Sequence, residues 1–280
     1  MRRSFLLLTV CLLLIILCNG CFVLINTTAL SEKNEFKDPG IAGTWLMKEK
    51  EIVLHIEDKE DHYILYCAHP LTNVPFTISK IDSADKKISE KFISIKIRYP
   101  DAPNIEAYTI LGYRVSGDNL YLLNFDSNNE ELKKQAKQLP MQNKKLPFVA
   151  TSAELKKFIS GNLDKLIATD PIIRCEFKDQ KSLKIFLAFS DYFSIYPTNI
   201  FKKSKITDAE IQRMEEQINL WGQKNYQMLP AVFKERTEKH LRCVKECLKT
   251  PKASGNRLHR ELNDFLPEIN DLIEKELLKH

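Results

Sequence analysis

From residue 41 onward, apolar positions recur every second residue. Short runs rich in β-branched and aromatic side chains follow one another at about ten-residue spacing, the pattern of an antiparallel meander. Seven runs lie at 42–47, 51–57, 62–68, 76–81, 92–99, 107–115 and 120–125. The breaks between them have turn chemistry. Asp58-Lys59-Glu60-Asp61 is a charged loop, the segment from Pro100 to Pro103 cannot continue a ladder, and Ser116-Gly117-Asp118-Asn119 suits a tight hairpin. In the fifth run Ile93, Ile95, Ile97 and Tyr99 alternate with Phe92, Ser94, Lys96 and Arg98, which predicts one apolar face and one wet face.

After residue 126 the period lengthens. Residues 130–138 read as a helix, and 139–147 as a polar, proline-bounded connection. Thr151 with Glu154 makes a capping box for a second helix, whose apolar positions Leu155, Phe158, Ile159, Leu163, Leu166 and Ile167 recur at three and four until Asp170-Pro171. Residues 172–177 return to a strand pattern, and 182–195 are apolar without a clear period. Thr207 with Glu210 opens another helix with the stripe Ile211, Met214, Ile218 and Trp221, and Pro230 kinks or divides it. Phe233, His240, Val244 and Leu248 continue on a further segment, and Leu258, Leu262, Phe265, Ile269 and Ile273 mark a last amphipathic helix. Three such helices can bury one another's stripes. The predicted class is α+β: an N-terminal antiparallel β-barrel or sandwich, then a helical C-terminal region. The predicted divisions are 1–20, 21–40, 41–178 and 179–280.

The first of these is an export signal in layout, with Arg2 and Arg3 ahead of an uncharged apolar run at 5–17. Cys18-Asn19-Gly20-Cys21 then resembles the end of a bacterial lipoprotein signal. Gly20 and Cys21 fit the pattern, whereas Cys18 stands where that family most often has leucine. The resemblance implies lipidation at Cys21, and Phe22 after it resembles the outer-membrane rather than the inner-membrane retention signal. Two other readings stay open: cleavage after Gly20 without a lipid, and an uncleaved anchor spanning 5–25. All three export the bulk of the chain. Membrane anchoring in the cell envelope, at the outer membrane or periplasmic face, is the expectation, because each buried lipid methylene contributes about 0.8 kcal/mol. Residues 26–40 are polar and end in Pro39-Gly40, as a tether between membrane and domain would.

Gly43-Thr44-Trp45, at the head of the first strand, resembles the Gly-x-Trp opening of small lipocalin-like barrels. The resemblance implies a barrel closed at one end by Trp45 and a small apolar ligand within, with Trp45 as the ligand-binding candidate. The chain departs from lipocalins in lacking a Thr-Asp-Tyr turn among these strands; Ser190-Asp191-Tyr192 falls in the later half. The alternative is a sandwich or filled barrel with Trp45 in its core.

Composition narrows the rest. The chain has 280 residues, 44 % hydrophobic, with 8 glycines and 12 prolines, which excludes collagen-like and low-complexity polymers. Its net charge of +5 is unevenly spread: residues 21–126 hold 12 basic against 16 acidic side chains, and residues 127–280 hold 28 against 21. A basic helical half outside the cytoplasm favours anionic headgroups or envelope polymers. Its compartment argues against nucleic acid.

Candidate chemistry is sparse. His240, Cys243 and Cys247 can share a helix face, yet one helix rarely supplies three zinc ligands and no second Cys/His motif closes a tetrahedron, so buried or free thiols are the simpler reading. Cys67, Cys175, Cys243 and Cys247 allow three complete disulfide pairings. His55, His62 and His69 recur every seven residues, but strand parity separates His62 from the face shared by Cys67 and His69. No nucleophile elbow, metalloprotease helix, phosphate loop or calcium loop occurs. No catalytic residue, metal or cofactor is assigned. The expected function is non-catalytic binding of a small apolar ligand, or else an envelope scaffold whose C-terminal helices contact a protein partner.

Overall fold

The computed structural model describes residues 21–22, 24–26, 30–31, 36–48, 52–67, 73–83, 85–98, 106–126, 128–139, 141–143, 146–149, 152–196, 206–249 and 255–279. The export signal at 1–20, His69 and Thr151 lie outside the described residues.

Thirteen strands form among the described residues: β1 (Cys21–Phe22), β2 (Leu24–Asn26), β3 (Gly43–Met47), β4 (Ile52–Asp58), β5 (Tyr63–Cys67), β6 (Val74–Asp82), β7 (Ser89–Arg98), β8 (Glu106–Ser116), β9 (Asn119–Asp126), β10 (Met141–Asn143), β11 (Leu146–Val149), β12 (Leu166–Ala168) and β13 (Ile172–Cys175). Eight of them, in the order β3-β4-β5-β6-β7-β8-β9-β13, close into an antiparallel barrel, with β13 beside β3. Closure leaves no free edge in the ring, and eight strands enclose a space just wide enough for side chains or one small ligand. The α+β architecture is therefore a barrel rather than a sandwich, followed by helices. Two helices, α1 (Glu130–Lys137) and α2 (Ser152–Ser160), precede β13 in the chain, and four follow it: α3 (Gln180–Ser194), α4 (Asp208–Asn225), α5 (Ala231–Lys249) and α6 (Gly255–Leu272). No helix among the described residues is long and apolar enough to cross a membrane.

The chain divides into two compact units. The first comprises Met1–Gly43, Ile56–Leu65 and Val74–Arg174; the second comprises Thr44–His55, Tyr66–Asn73 and Cys175–His280.

In the first unit the register is continuous from β6 to β9. Ile78 pairs with Ile93, Ile93 with Leu111, Lys91 with Tyr113, and Tyr113 with Leu122. Alternate residues take opposite faces. Ile81, Phe92, Ile110 and Phe125 lie on the outer face, in one cluster with Leu132 of α1 and with Leu155, Phe158 and Ile159 of α2. Phe125 meets Phe158 edge-on at 5.4 Å. Phe92 and Ser94 are thus buried, where the alternation predicted a wet face. The cause is a cover that a strand pattern cannot report: α2 packs there, and Leu30 joins the same cluster while its N–H donates to Ser94 Oγ at 3.1 Å.

The helix predicted to run on through Ile167 is shorter. α2 stops at Ser160, the Asn162 amide donates to the Phe158 carbonyl at 2.9 Å, and Leu166–Ala168 pairs as β12 with β9. A side-chain amide on the carbonyl four residues earlier satisfies one of the acceptors that a helix end leaves open.

In the second unit α3 resolves the stretch that showed no clear period. Eight of its residues are buried, Phe186, Phe189, Tyr192 and Phe193 among them, so its pattern is apolar on more than one side. Asp179 caps it by accepting from the Ser182 N–H at 2.7 Å. α4 begins at the expected capping box of Thr207 and Glu210. Pro230 divides α4 from α5, which starts at Ala231. The stripes of α3 to α6 meet in one core that includes Trp221, Phe233, Val244, Leu258, Phe265 and Ile269, and the Trp221 indole donates to the Ala188 carbonyl at 2.6 Å.

Candidate functional site

The inner face of the first unit is the parity opposite the helices. Phe76, Ile78, Ile93, Leu111, Leu120 and Leu122 occupy it, each exposed by 8 % or less. Lys91 and Tyr113 share this parity, so a cation and a phenol stand among apolar side chains. Their backbone spacing is fixed by strand register, because they are directly opposed across β7 and β8.

Both reach the same acceptor. Asp38 lies in the segment that precedes β3, where its carbonyl accepts from the Ile41 N–H at 3.2 Å and its Oδ1 from the Gly40 N–H at 3.1 Å. Pro39 and Gly40 occupy the turn centre, and the aspartate braces its own turn. The other carboxylate oxygen, Oδ2, accepts from Lys91 Nζ at 2.7 Å and from the Tyr113 hydroxyl at 3.0 Å. The Asp38 N–H donates to the Tyr63 hydroxyl at 2.9 Å. Asp38 is 6 % exposed and the Lys91 side chain 30 %, so the pair is buried on one side and reachable by water on the other.

Flanking residues fasten the segment. Lys91 Nζ stands 5.3 Å from the Phe36 ring centroid, and Lys37 Nζ stands 5.3 Å from that of Tyr63 while pairing with Asp58. Tyr63 stacks on Phe76 at 5.5 Å. Burial pushes the Tyr113 hydroxyl far above the ordinary phenol range, and the Asp38 charge adds to it. The Tyr63 hydroxyl is raised as well, first by burial. Both are neutral donors and acceptors at any physiological pH.

Arg174 holds the next stretch of chain. Its guanidinium donates to the Ala42 carbonyl at 3.1 Å and to the Gly40 carbonyl at 2.5 Å. Gly43 adopts φ +125°, and a Cβ there would lie 2.7 Å from Arg174 Nη1. The glycine of Gly-x-Trp is thus required twice, by its backbone conformation and by the arginine passing over it.

Among the described residues, those singled out in the sequence do not converge on one site. Trp45 is wholly buried; its neighbour Leu46 packs in the helical core, so Trp45 takes the opposite face of β3. Cys21 lies in β1, paired with Asp126. His55 is within hydrogen-bond distance of Thr44 Oγ1, at 3.0 Å, and packs near Tyr66 and Phe177, whereas His62 contacts the Asp61 carboxylate at 2.5 Å. Cys67, Cys175, Cys243 and Cys247 remain thiols, and burial raises that of Cys247. His240 stacks on Phe265 at 3.8 Å within the helical core. Among the described residues no three His, Cys, Asp or Glu side chains converge as a metal site.

Asp38, Lys91 and Tyr113 were not singled out by pattern. Asp38 reads as one more polar residue of a tether. Lys91 did leave a signal, being a lysine at the parity of Ile93, Ile95 and Ile97.

Comparison with protein-family models, with curated proteins and with solved structures finds no match to this chain.

Proposed function

We propose that this protein is an exported, membrane-anchored binding protein whose β-barrel takes a small, apolar ligand. The observation that carries the reading is the inner face of the barrel in the first unit, apolar along β6 to β9 and polar where Lys91, Tyr113 and Tyr63 meet Asp38. Such a surface suits an amphiphile, with each methylene moved out of water contributing about 0.8 kcal/mol. The inner side chains are buried, with Asp38 and Ile41 of the preceding segment buried too, so ligand entry requires the segment at 36–41 to move.

Export and anchoring are supported by Arg2, Arg3, the apolar run that follows and Cys21. The partner at that end of the chain is the membrane, reached through a lipid on Cys21 or an uncleaved anchor. The scaffold reading receives less support, because α3 to α6 bury their stripes in their own core. Of the large apolar residues described in that unit, Leu220 and Val232 are the ones exposed.

The test is a titration of the purified, delipidated chain with a fluorescent fatty acid and a fluorescent fatty alcohol. Saturable binding of one probe per chain is expected. Failure of both probes to bind a chain shown to be folded by circular dichroism overturns the reading. Mass spectrometry of the mature N-terminus separates a lipidated Cys21 from an unmodified Cys21 and from an uncleaved Met1.

A further inference from the structure

We propose that Lys91 and Tyr113 form a carboxylate site for the ligand's head group, and that Asp38 is its resident occupant, an internal ligand displaced by the carboxylate of an incoming amphiphile. The proposal rests on the binding reading above and deepens it.

Three observations converge. First, the two donors stand on directly opposed residues of β7 and β8, so their backbone separation belongs to the sheet and not to Asp38. Second, their acceptor comes from outside the strands. Asp38 presents a single oxygen, Oδ2, to both donors, at 2.7 and 3.0 Å, which is the contact any carboxylate would make. Third, the residues around Asp38 have the character of an amphiphile. Ile41 is 2 % exposed and Phe36 packs near Lys91, so withdrawal of the segment vacates apolar space beside the charge site.

The energetics select an acid. If the segment left with nothing in its place, a lysine on an apolar face and a buried phenol would lose their shared partner, a costly state. A neutral alcohol or ester would leave the ammonium without a counter-charge. An incoming carboxylate restores both contacts, so the exchange is isoelectric within the barrel. The partly exposed Lys91 gives the head group a way in. The expected ligand class is a single-chain amphiphile ending in a carboxylate.

The test compares dodecanoate with 1-dodecanol by calorimetric titration of the full chain. Asp38→Asn removes the charge of the internal competitor while keeping its shape, and Asp38→Ser serves as a second variant should the first fail to fold. Dodecanoate is expected to bind either variant about tenfold or more tighter than wild type, because the competent state is no longer taxed by its own occupant, and dodecanol, which needs the same displacement, gains likewise. Adding Lys91→Met or Tyr113→Phe to the variant is expected to remove about tenfold or more of that dodecanoate affinity and to change dodecanol affinity far less. Equal losses for acid and alcohol on adding Lys91→Met or Tyr113→Phe make the segment a steric plug and overturn the head-group site. Unchanged dodecanoate affinity, with both probes still binding, overturns the inference and leaves the binding reading standing. Binding of neither probe to any folded variant overturns both.

Discussion

The ammonium of Lys91 lies 2.7 Å from a carboxylate oxygen of Asp38, a residue 53 positions earlier in the chain. That contact ties the segment before the first barrel strand to a residue on the barrel's inner face. It makes a stretch with the composition of a linker part of the folded interior.

Asp38→Ala is therefore expected to destabilise the first unit by about 2–4 kcal/mol, less than a fully buried pair because Lys91 is partly exposed. Asp38→Asn, which keeps the shape and one acceptor, is expected to cost about 1–2 kcal/mol. Urea unfolding of both variants measures the difference. A cost within experimental error for the alanine variant would mean that the segment does not depend on this contact.

Gly43 and Arg174 provide a second test. With φ +125° and Arg174 Nη1 at 2.7 Å from the position of a Cβ, Gly43→Ala is expected to cost about 1–3 kcal/mol. In an Arg174→Ala background the cost is expected to fall, because the close approach disappears while the backbone strain remains. A double-mutant cycle by chemical denaturation reads the coupling, and strictly additive costs would contradict the close approach.

The barrel and the helices were legible because their signals are local. Alternation from Phe92 to Tyr99 marks a strand whatever covers it, and Thr207 with Glu210 marks a helix start by its own hydrogen bonds. What was not legible depends on distant partners. Ser94 reads as solvent-facing until Leu30 covers it, and residues 182–195 lose their period because α3 is apolar on more than one side. The site was less legible still. Asp38 becomes distinctive only when the chain returns at Lys91 and Tyr113, while Trp45, conspicuous in the sequence, is a wholly buried side chain.

The helical core carries a pH dependence. Burial against Phe265 and Tyr192 holds the His240 imidazole down to about 3, below its unfolded value of about 6.5. The unfolded chain therefore binds the extra proton first as pH falls. The His240 contribution is intact above about pH 6.5 and is lost progressively toward pH 3, with a slope approaching about 1.4 kcal/mol per pH unit. Urea unfolding of wild type and His240→Phe across this range is expected to show the wild-type curve falling more steeply. Parallel curves would place the imidazole in contact with water.

Hydrogen exchange at the Asp38 and Ile41 amides tests the displacement of this segment most directly. The first donates to the Tyr63 hydroxyl at 2.9 Å and the second to the Asp38 carbonyl at 3.2 Å, so both report whether the segment is seated. At saturating dodecanoate both amides are expected to lose protection while those of Ile78 and Ile93 keep theirs. Unchanged protection at Asp38 and Ile41 with the ligand bound would contradict displacement of the segment.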